Sequence, residues 1–184
     1  MNIKDMVYAA IMAAVVAVLG LIPAIPIPYI PVPITVQTLG VMLAGSLIGA
    51  RLGGISMLLV VILVAFGAPI LSGGRGGMGI ITGATGGYLL SWPLAAFVIG
   101  VLVHRYARDL KVWKLILINI VGGILVVYAI GIPYSALITK APLAKLMLGN
   151  LTFIPGDLIK AVVASLLAAR IHRAMPQLLR RSGK

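Results

Sequence analysis

Long apolar stretches, broken at short intervals by glycine, proline and isolated charges, dominate this chain. Six of them, residues 6–22, 35–50, 52–67, 82–103, 112–130 and 151–169, approach the roughly 20 mostly apolar residues that a helix needs to cross a bilayer. The second and third are short and separated only by Ala50-Arg51-Leu52, which predicts a tight helical hairpin. The reading is an all-α integral membrane protein with six transmembrane helices, forming one membrane domain over residues 1–184. A cleaved leader is the competing reading of the first stretch, because Lys4 precedes it. Pro23-Ala24-Ile25-Pro26 is a poor cleavage site, however, and Asp5 stands where such a leader is basic.

Composition strengthens this assignment. Hydrophobic residues make up 61% of the 184 positions and charged residues 10%, against roughly 45–50% and about 25% in soluble domains. A compact soluble fold of this size lacks the polar residues to cover its surface. With no cysteine, disulfide frameworks and thiolate chemistry are excluded.

Charge then sets the orientation. Fifteen cations face three acids, Asp5, Asp109 and Asp157, with no glutamate. If both termini are cytoplasmic, eleven cations lie inside: Lys4, Arg51, Arg105, Arg108, Lys111, Lys114, Arg170, Arg173, Arg180, Arg181 and Lys184. Arg75, Lys140 and Lys145 lie outside, and Lys160 falls within a span. That asymmetry follows the positive-inside rule. The net charge of +12 is therefore a topology signal, and the scattered cations form no basic stripe for nucleic acid.

Small residues allow close helix packing in lipid. Gly45-x-x-x-Gly49, Gly83-x-x-x-Gly87, Ala9-x-x-x-Ala13 and Ala10-x-x-x-Ala14 have the required spacing. They either pack the bundle internally or, on the first helix, offer a face to a partner subunit. Asn119, within the fifth span, reads as interhelical glue, and His104 and His172 as interfacial residues without metal-ligand spacing.

Three stretches break the apolar monotony, all on the outer side of this topology. Pro23 to Pro33 holds five prolines in eleven residues, which excludes helix and favours an extended path. It reads as a lid over the bundle mouth, with Thr35, Gln37 and Thr38 supplying hydrogen bonds, or as a stiff connector with Thr35 capping the next helix. The second stretch, Ser72-Gly73-Gly74-Arg75-Gly76-Gly77-Met78-Gly79, leads into Thr82-Gly83-Ala84-Thr85-Gly86-Gly87-Tyr88. Its match to a dinucleotide fingerprint carries no weight without a preceding strand. Glycines such as Gly74 and Gly76 let backbone approach a ligand closely. Arg75 presents a fork suited to a carboxylate, or snorkels to headgroups; Tyr88 and Trp92, which follow, are candidates to line a pocket.

In the third stretch, Phe153-Ile154-Pro155-Gly156-Asp157-Leu158-Ile159-Lys160, Pro-Gly breaks structure and Asp157 begins or caps the last helix. Asp157 and Lys160 share one helical face. An ionisable residue within a span usually faces the bundle interior and marks function; the plainer reading is a self-contained ion pair.

Taken in order, Pro-Val-Pro-Ile-Thr-Val-Gln-Thr (31–38), Leu-Ala-Gly…Gly-Ala-Arg-Leu-Gly (43–53), Gly-Ala-Pro-Ile-Leu-Ser-Gly-Gly-Arg-Gly-Gly (67–77), Thr-Gly-Ala-Thr-Gly-Gly-Tyr-Leu (82–89) and Ile-Pro-Gly-Asp-Leu-Ile-Lys (154–160) resemble the BioY family. These are biotin-binding S components of energy-coupling factor (ECF) transporters. The resemblance implies an S-component bundle of six helices in a prokaryotic cell membrane, with cytoplasmic termini and an outward-facing biotin pocket. It also implies partners, a transmembrane T component and two ABC-type ATPases, with ATP used by those subunits only and no cofactor in this chain. Docking to the T component then maps to Ala9, Ala10, Ala13 and Ala14. Ala84 and Leu89 stand where a proline and an arginine are expected of the family, so Arg75 supplies the cation from elsewhere.

Biotin carries a ureido ring, an apolar thioether body and a carboxylate. Asp157 accepts from a ureido N–H, Lys160 donates to the carbonyl, and Arg75 takes the carboxylate. Thr35, Gln37 and Thr38 complete the set or hold the lid. The alternatives are a stand-alone transporter working as a homo-oligomer and an S component for another vitamin. An intramembrane enzyme lacks a nucleophile–base or metal constellation.

Overall fold

A computed structural model of the chain describes residues 2–26 and 32–176. Pro28, Tyr29 and Pro31 of the proline-rich stretch, and Arg180, Arg181 and Lys184 of the basic tail, lie outside the described residues. The described residues are helical with no strands. They form α1 (Ile3–Leu19), α2 (Gln37–Ala65), the single turn α3 (Met78–Ile81), α4 (Gly86–Arg105), α5 (Val112–Ile120), α6 (Val127–Thr139), α7 (Leu143–Asn150) and α8 (Ile154–Ala174).

Asp5 starts α1. Its carboxylate accepts from the Asn2 N–H at 3.1 Å while the Asn2 side chain accepts from the Asp5 N–H at 2.9 Å, satisfying donors that a helix leaves unpaired at its N-terminus. Helix α2 contains the expected hairpin, with the reversal at Gly49 rather than at Ala50-Arg51-Leu52. Gly49 adopts φ 81° and ψ −176°, a conformation essentially restricted to glycine. The chain then folds back, so that a methyl group on Gly53 would lie 3.1 Å from the Ala44 carbonyl oxygen. Two helical halves, 37–48 and 50–65, thus run side by side.

Helix α2 packs most extensively on α4, with α1 and α8 against its other sides and α6 beyond α4. Glycine makes the α2–α4 contact close. A methyl on Gly45 would meet the Ala96 oxygen at 2.5 Å, and one on Gly100 the Ala50 nitrogen at 2.1 Å. At the centre, Ser46 donates to Asn119 at 3.1 Å and Asn119 donates to Ser165 at 3.0 Å. All three are fully buried, so Asn119 is the expected polar glue between α2, α5 and α8.

The fifth span is longer than its apolar pattern indicates. Helices α5 and α6 join through a π-helical turn, Val121–Val126, into one rod ending at Thr139, where Lys140 turns left-handed at φ 53°. Pro133 lies inside this rod without ending it, and the adjacent Tyr134 donates from its phenol to the Ile81 carbonyl at 2.7 Å. Among the described residues, four helical stretches are long and apolar enough, by length and composition, to cross a membrane: Gln37–Ala65 (counted through its reversal at Gly49), Gly86–Arg105, Val112–Thr139 and Leu143–Ala174.

Candidate functional site

Helix α8 carries the central pair. It begins at Ile154, one residue before Pro155, because proline is tolerated in a first helical turn. Asp157 therefore lies inside that turn and caps nothing. Its side chain, 9% exposed, pairs with Lys160 Nζ at 2.6 Å. Lys160 also donates to the Thr35 carbonyl at 2.7 Å and to Thr38 Oγ1 at 3.0 Å. Thr35 is not a helix cap: Val36 precedes α2 without any side-chain cap, and the Thr35 carbonyl serves Lys160 instead. The lysine thus ties α8 to the end of the proline-rich segment across more than 120 positions of sequence.

These contacts fill all three donor positions of the ammonium group. The second carboxylate oxygen of Asp157 accepts from Tyr128 Oη at 2.5 Å. An ionised carboxylate has about four acceptor sites, so Asp157 retains free capacity while Lys160 does not. The two members of the pair are therefore unequal toward a ligand.

A cavity of about 100 Å³ opens beside this pair. Val32 to Thr35 cover one side, Gln37 and Thr38 enter from α2, and Tyr88, Leu89 and Trp92 from α4. Gly123 in the π-helical turn, Val127, Tyr128 and Phe153 complete the wall. The two described ends of the proline-rich stretch are joined by paired backbone hydrogen bonds between Ile25 and Ile34, both 2.9 Å. Tyr88 and Tyr128 meet edge to face, ring centres 6.5 Å apart, and Tyr88 donates to Asn150 at 2.9 Å.

Two side chains of this wall differ in what they leave unused. Trp92 is 6% exposed and its indole N–H has no hydrogen-bond partner. Gln37 is saturated: its amide nitrogen donates to the Val16 and Ile70 carbonyls at 3.1 and 3.0 Å, and its oxygen accepts from the Ser72 N–H at 3.0 Å. Gln37 thus borders the cavity as the rivet between α1, α2 and the glycine-rich loop.

Arg75 stands outside this cavity. It is exposed, donates from Nε to the Ser72 carbonyl at 3.1 Å, and lines a separate outer groove of about 400 Å³ with Pro23, Ala24, Pro26 and Pro33. Pro33 borders both spaces. Gly74, at φ 67°, turns the loop there. Gly76 presses on the backbone, where a methyl would lie 2.2 Å from the Ala68 oxygen; neither glycine lines the inner cavity. On α1, Ala9 and Ala13 are buried against the bundle, with Ser56 donating to the Ala9 carbonyl at 2.8 Å. Ala10 and Ala14 point outward.

Two side chains of the site carry no sequence signal, and a third is more buried than its place near a helix end suggests. Tyr128 lies well inside the 28-residue rod 112–139, whereas an apolar span ending at residue 130 leaves it near the rim. Asn150, 2% exposed, carries no pattern that separates it from an ordinary loop asparagine. His172, in the last turn of α8, is 6% exposed, because it continues the buried face of α8 formed by Asp157, Ala161, Ser165 and Ala168.

Comparison with known proteins identifies the family and the fold. The biotin transporter BioY of Rhizobium etli is 44% identical over 183 residues, covering 97% of this chain and 98% of that one. The probable biotin transporter BioY of Bacillus subtilis is 43% identical over 95% of this chain and 94% of its own. A crystal structure of the S-component for biotin from an ECF-type ABC transporter superposes with a TM-score of 0.89 at 34% identity, covering 93% of this chain and 92% of that one. The family model described as the BioY family matches residues 1–177, and the chain belongs to that family.

Proposed function

We propose that this chain is a biotin-capturing S component, non-enzymatic in itself, which takes biotin from the outer side and delivers it inward when coupled to a T component and two ATPases. In this reading the bundle crosses the cell membrane of a prokaryote six times, with α1, the two halves of α2, α4, the α5–α6 rod and α8 as the crossings and both termini cytoplasmic.

The observation that carries the proposal is the unequal pair beside the cavity. Asp157 has acceptor capacity left after binding Lys160 and Tyr128, which suits the N–H donors of a ureido ring. Lys160, with all three donors engaged, reaches the ureido carbonyl only by releasing Thr35 or Thr38. The unpartnered Trp92 N–H meets the same carbonyl without any such exchange. Tyr88, Tyr128 and Phe153 flank the apolar body. Arg75, beyond Pro33, receives the carboxylate at the rim. Ala10 and Ala14 offer the small-residue face for the T component.

Titration calorimetry of the purified protein tests this. Biotin should bind with a strong loss of affinity for an analogue lacking the ureido N–H groups, and a smaller loss for one lacking the carboxylate. Equal affinity for biotin and the ureido-free analogue would refute the assignment of Asp157.

A further inference from the structure

Asn150 does not line the cavity, yet it holds a side chain that does. Tyr88 borders the space beside Asp157, and its hydroxyl donates to Asn150 Oδ1 at 2.9 Å across 62 positions of sequence. The Asn150 amide nitrogen donates to the Leu146 carbonyl at 2.7 Å. That second bond fixes which end of the amide faces Tyr88, because an amide donates from nitrogen and accepts at oxygen. An asparagine often bonds backbone of its own segment; here the side chain also joins α7 to α4.

The Tyr88 ring needs such a restraint because it packs on a surface without a side chain. A methyl on Gly131 of α6 would run into the ring, so the ring lies directly on that helix and no side chain there stops it from sliding. Its other neighbour is Tyr128, edge to face, and Tyr128 in turn bonds Asp157. Holding the hydroxyl at its far end removes the freedom the ring has left. Asn150 also stands where the chain enters α8. The 3-10 turn Leu151–Phe153 follows it directly, Phe153 lines the cavity, and Asp157 lies in the first turn beyond. Leu146 and Asn150, one turn apart, are the buried side chains of α7. One amide thus fixes the α4 wall and the approach to α8 against each other, and a binding site works only when such supports hold its contact groups in place.

We propose, on the basis of the biotin reading, that Asn150 is a positioning residue: by holding the Tyr88 hydroxyl it sets the aromatic wall against Tyr128 and Asp157, and so sets how tightly and how selectively the apolar body of the ligand is held.

Calorimetric titration with biotin, and with desthiobiotin, which lacks the thioether sulfur, tests this in Asn150→Leu, Tyr88→Phe and the double variant, with Tm and binding stoichiometry recorded alongside. Each single variant should weaken biotin binding by about threefold to tenfold, the worth of one neutral hydrogen bond. The double variant should be no weaker than the worse single one, because all three lack the same bond. The preference for biotin over desthiobiotin should narrow in all three. A purely structural role would lower Tm and stoichiometry while leaving Kd and that preference as in the parent, and this result would overturn the proposal. Fully additive losses in the double variant would overturn it as well. If Asn150→Leu does not fold, Tyr88→Phe, which keeps the ring and cuts the same bond, decides on affinity and preference. Failure of the parent to bind biotin would refute the functional reading and the positioning role together, whereas a binding parent with unaltered variants would refute the positioning role alone.

Discussion

Tyr128 and Asp157 are joined by a 2.5 Å hydrogen bond from the phenol to one carboxylate oxygen, while the other oxygen holds Lys160 at 2.6 Å. A charge inside a membrane bundle is tolerated only when it is paired and hydrogen-bonded, and the rod formed by α5 and α6 supplies the bond that α8 cannot make alone. The carboxylate is thereby fixed from two directions at the cavity wall.

Breaking this arrangement from one side should cost more than removing it whole. Asp157→Ala or Lys160→Met leaves an unpaired buried charge and should weaken biotin binding by roughly 2–5 kcal/mol. The neutral pair Asp157→Asn/Lys160→Met should recover thermal stability relative to the single variants without recovering affinity. Tyr128→Phe should cost about 1.5–3 kcal/mol in stability, the usual range for a bond to a charged group. A double-mutant cycle read by both Tm and calorimetry checks the set. Undiminished biotin binding by a folded Asp157→Ala protein would remove Asp157 from the site.

Trp92→Phe should separate binding from stability in the opposite sense. The indole N–H has no hydrogen-bond partner, so its removal forfeits no bond, and the fall in stability should be confined to the packing lost with the smaller ring. If the N–H meets the ligand, affinity should fall by about 1–3 kcal/mol. Unchanged affinity would show that the ligand does not use it.

Gln37→Leu should behave conversely. Its amide joins Val16, Ile70 and Ser72, and the substitution leaves buried backbone groups unsatisfied, at about 1–3 kcal/mol each. A large fall in Tm is expected, with the folded fraction binding biotin nearly as before. Intact stability with lost affinity would instead make Gln37 a direct ligand contact.

At Gly49 the backbone itself is the test. With φ 81° and ψ −176°, Gly49→Ala introduces strain of about 1–3 kcal/mol whatever space surrounds the side chain. Reduced yield and Tm are expected, because the hairpin of α2 depends on this residue. Gly54→Ala, whose methyl would meet nothing closer than 3.4 Å, serves as the control and should be near neutral.

Much of this organisation was legible in the chain. A near absence of charge forces the membrane assignment, since each ionisable group in hydrocarbon needs a reason to be there. The same scarcity isolates Asp157 and Lys160, and a spacing of three places them on one helical face. The proline-rich run excludes helix locally, so a non-helical stretch between the first two helices could be read without a structure. Those inferences need only local geometry and the cost of burying charge.

Which groups remain free is decided elsewhere. Lys160 is saturated because Thr35 and Thr38 reach it from the other end of the chain. Gln37 is spent on backbone groups of two distant segments, whereas Trp92 finds no partner. Ala9 and Ala13 turn inward and Ala10 and Ala14 outward, although both pairs have the same spacing. Local sequence sets a side chain's capacity and its helical face. Its partners, and whether that face meets protein or lipid, depend on elements far away in sequence, and only their packing determines which donors and acceptors are left for a ligand.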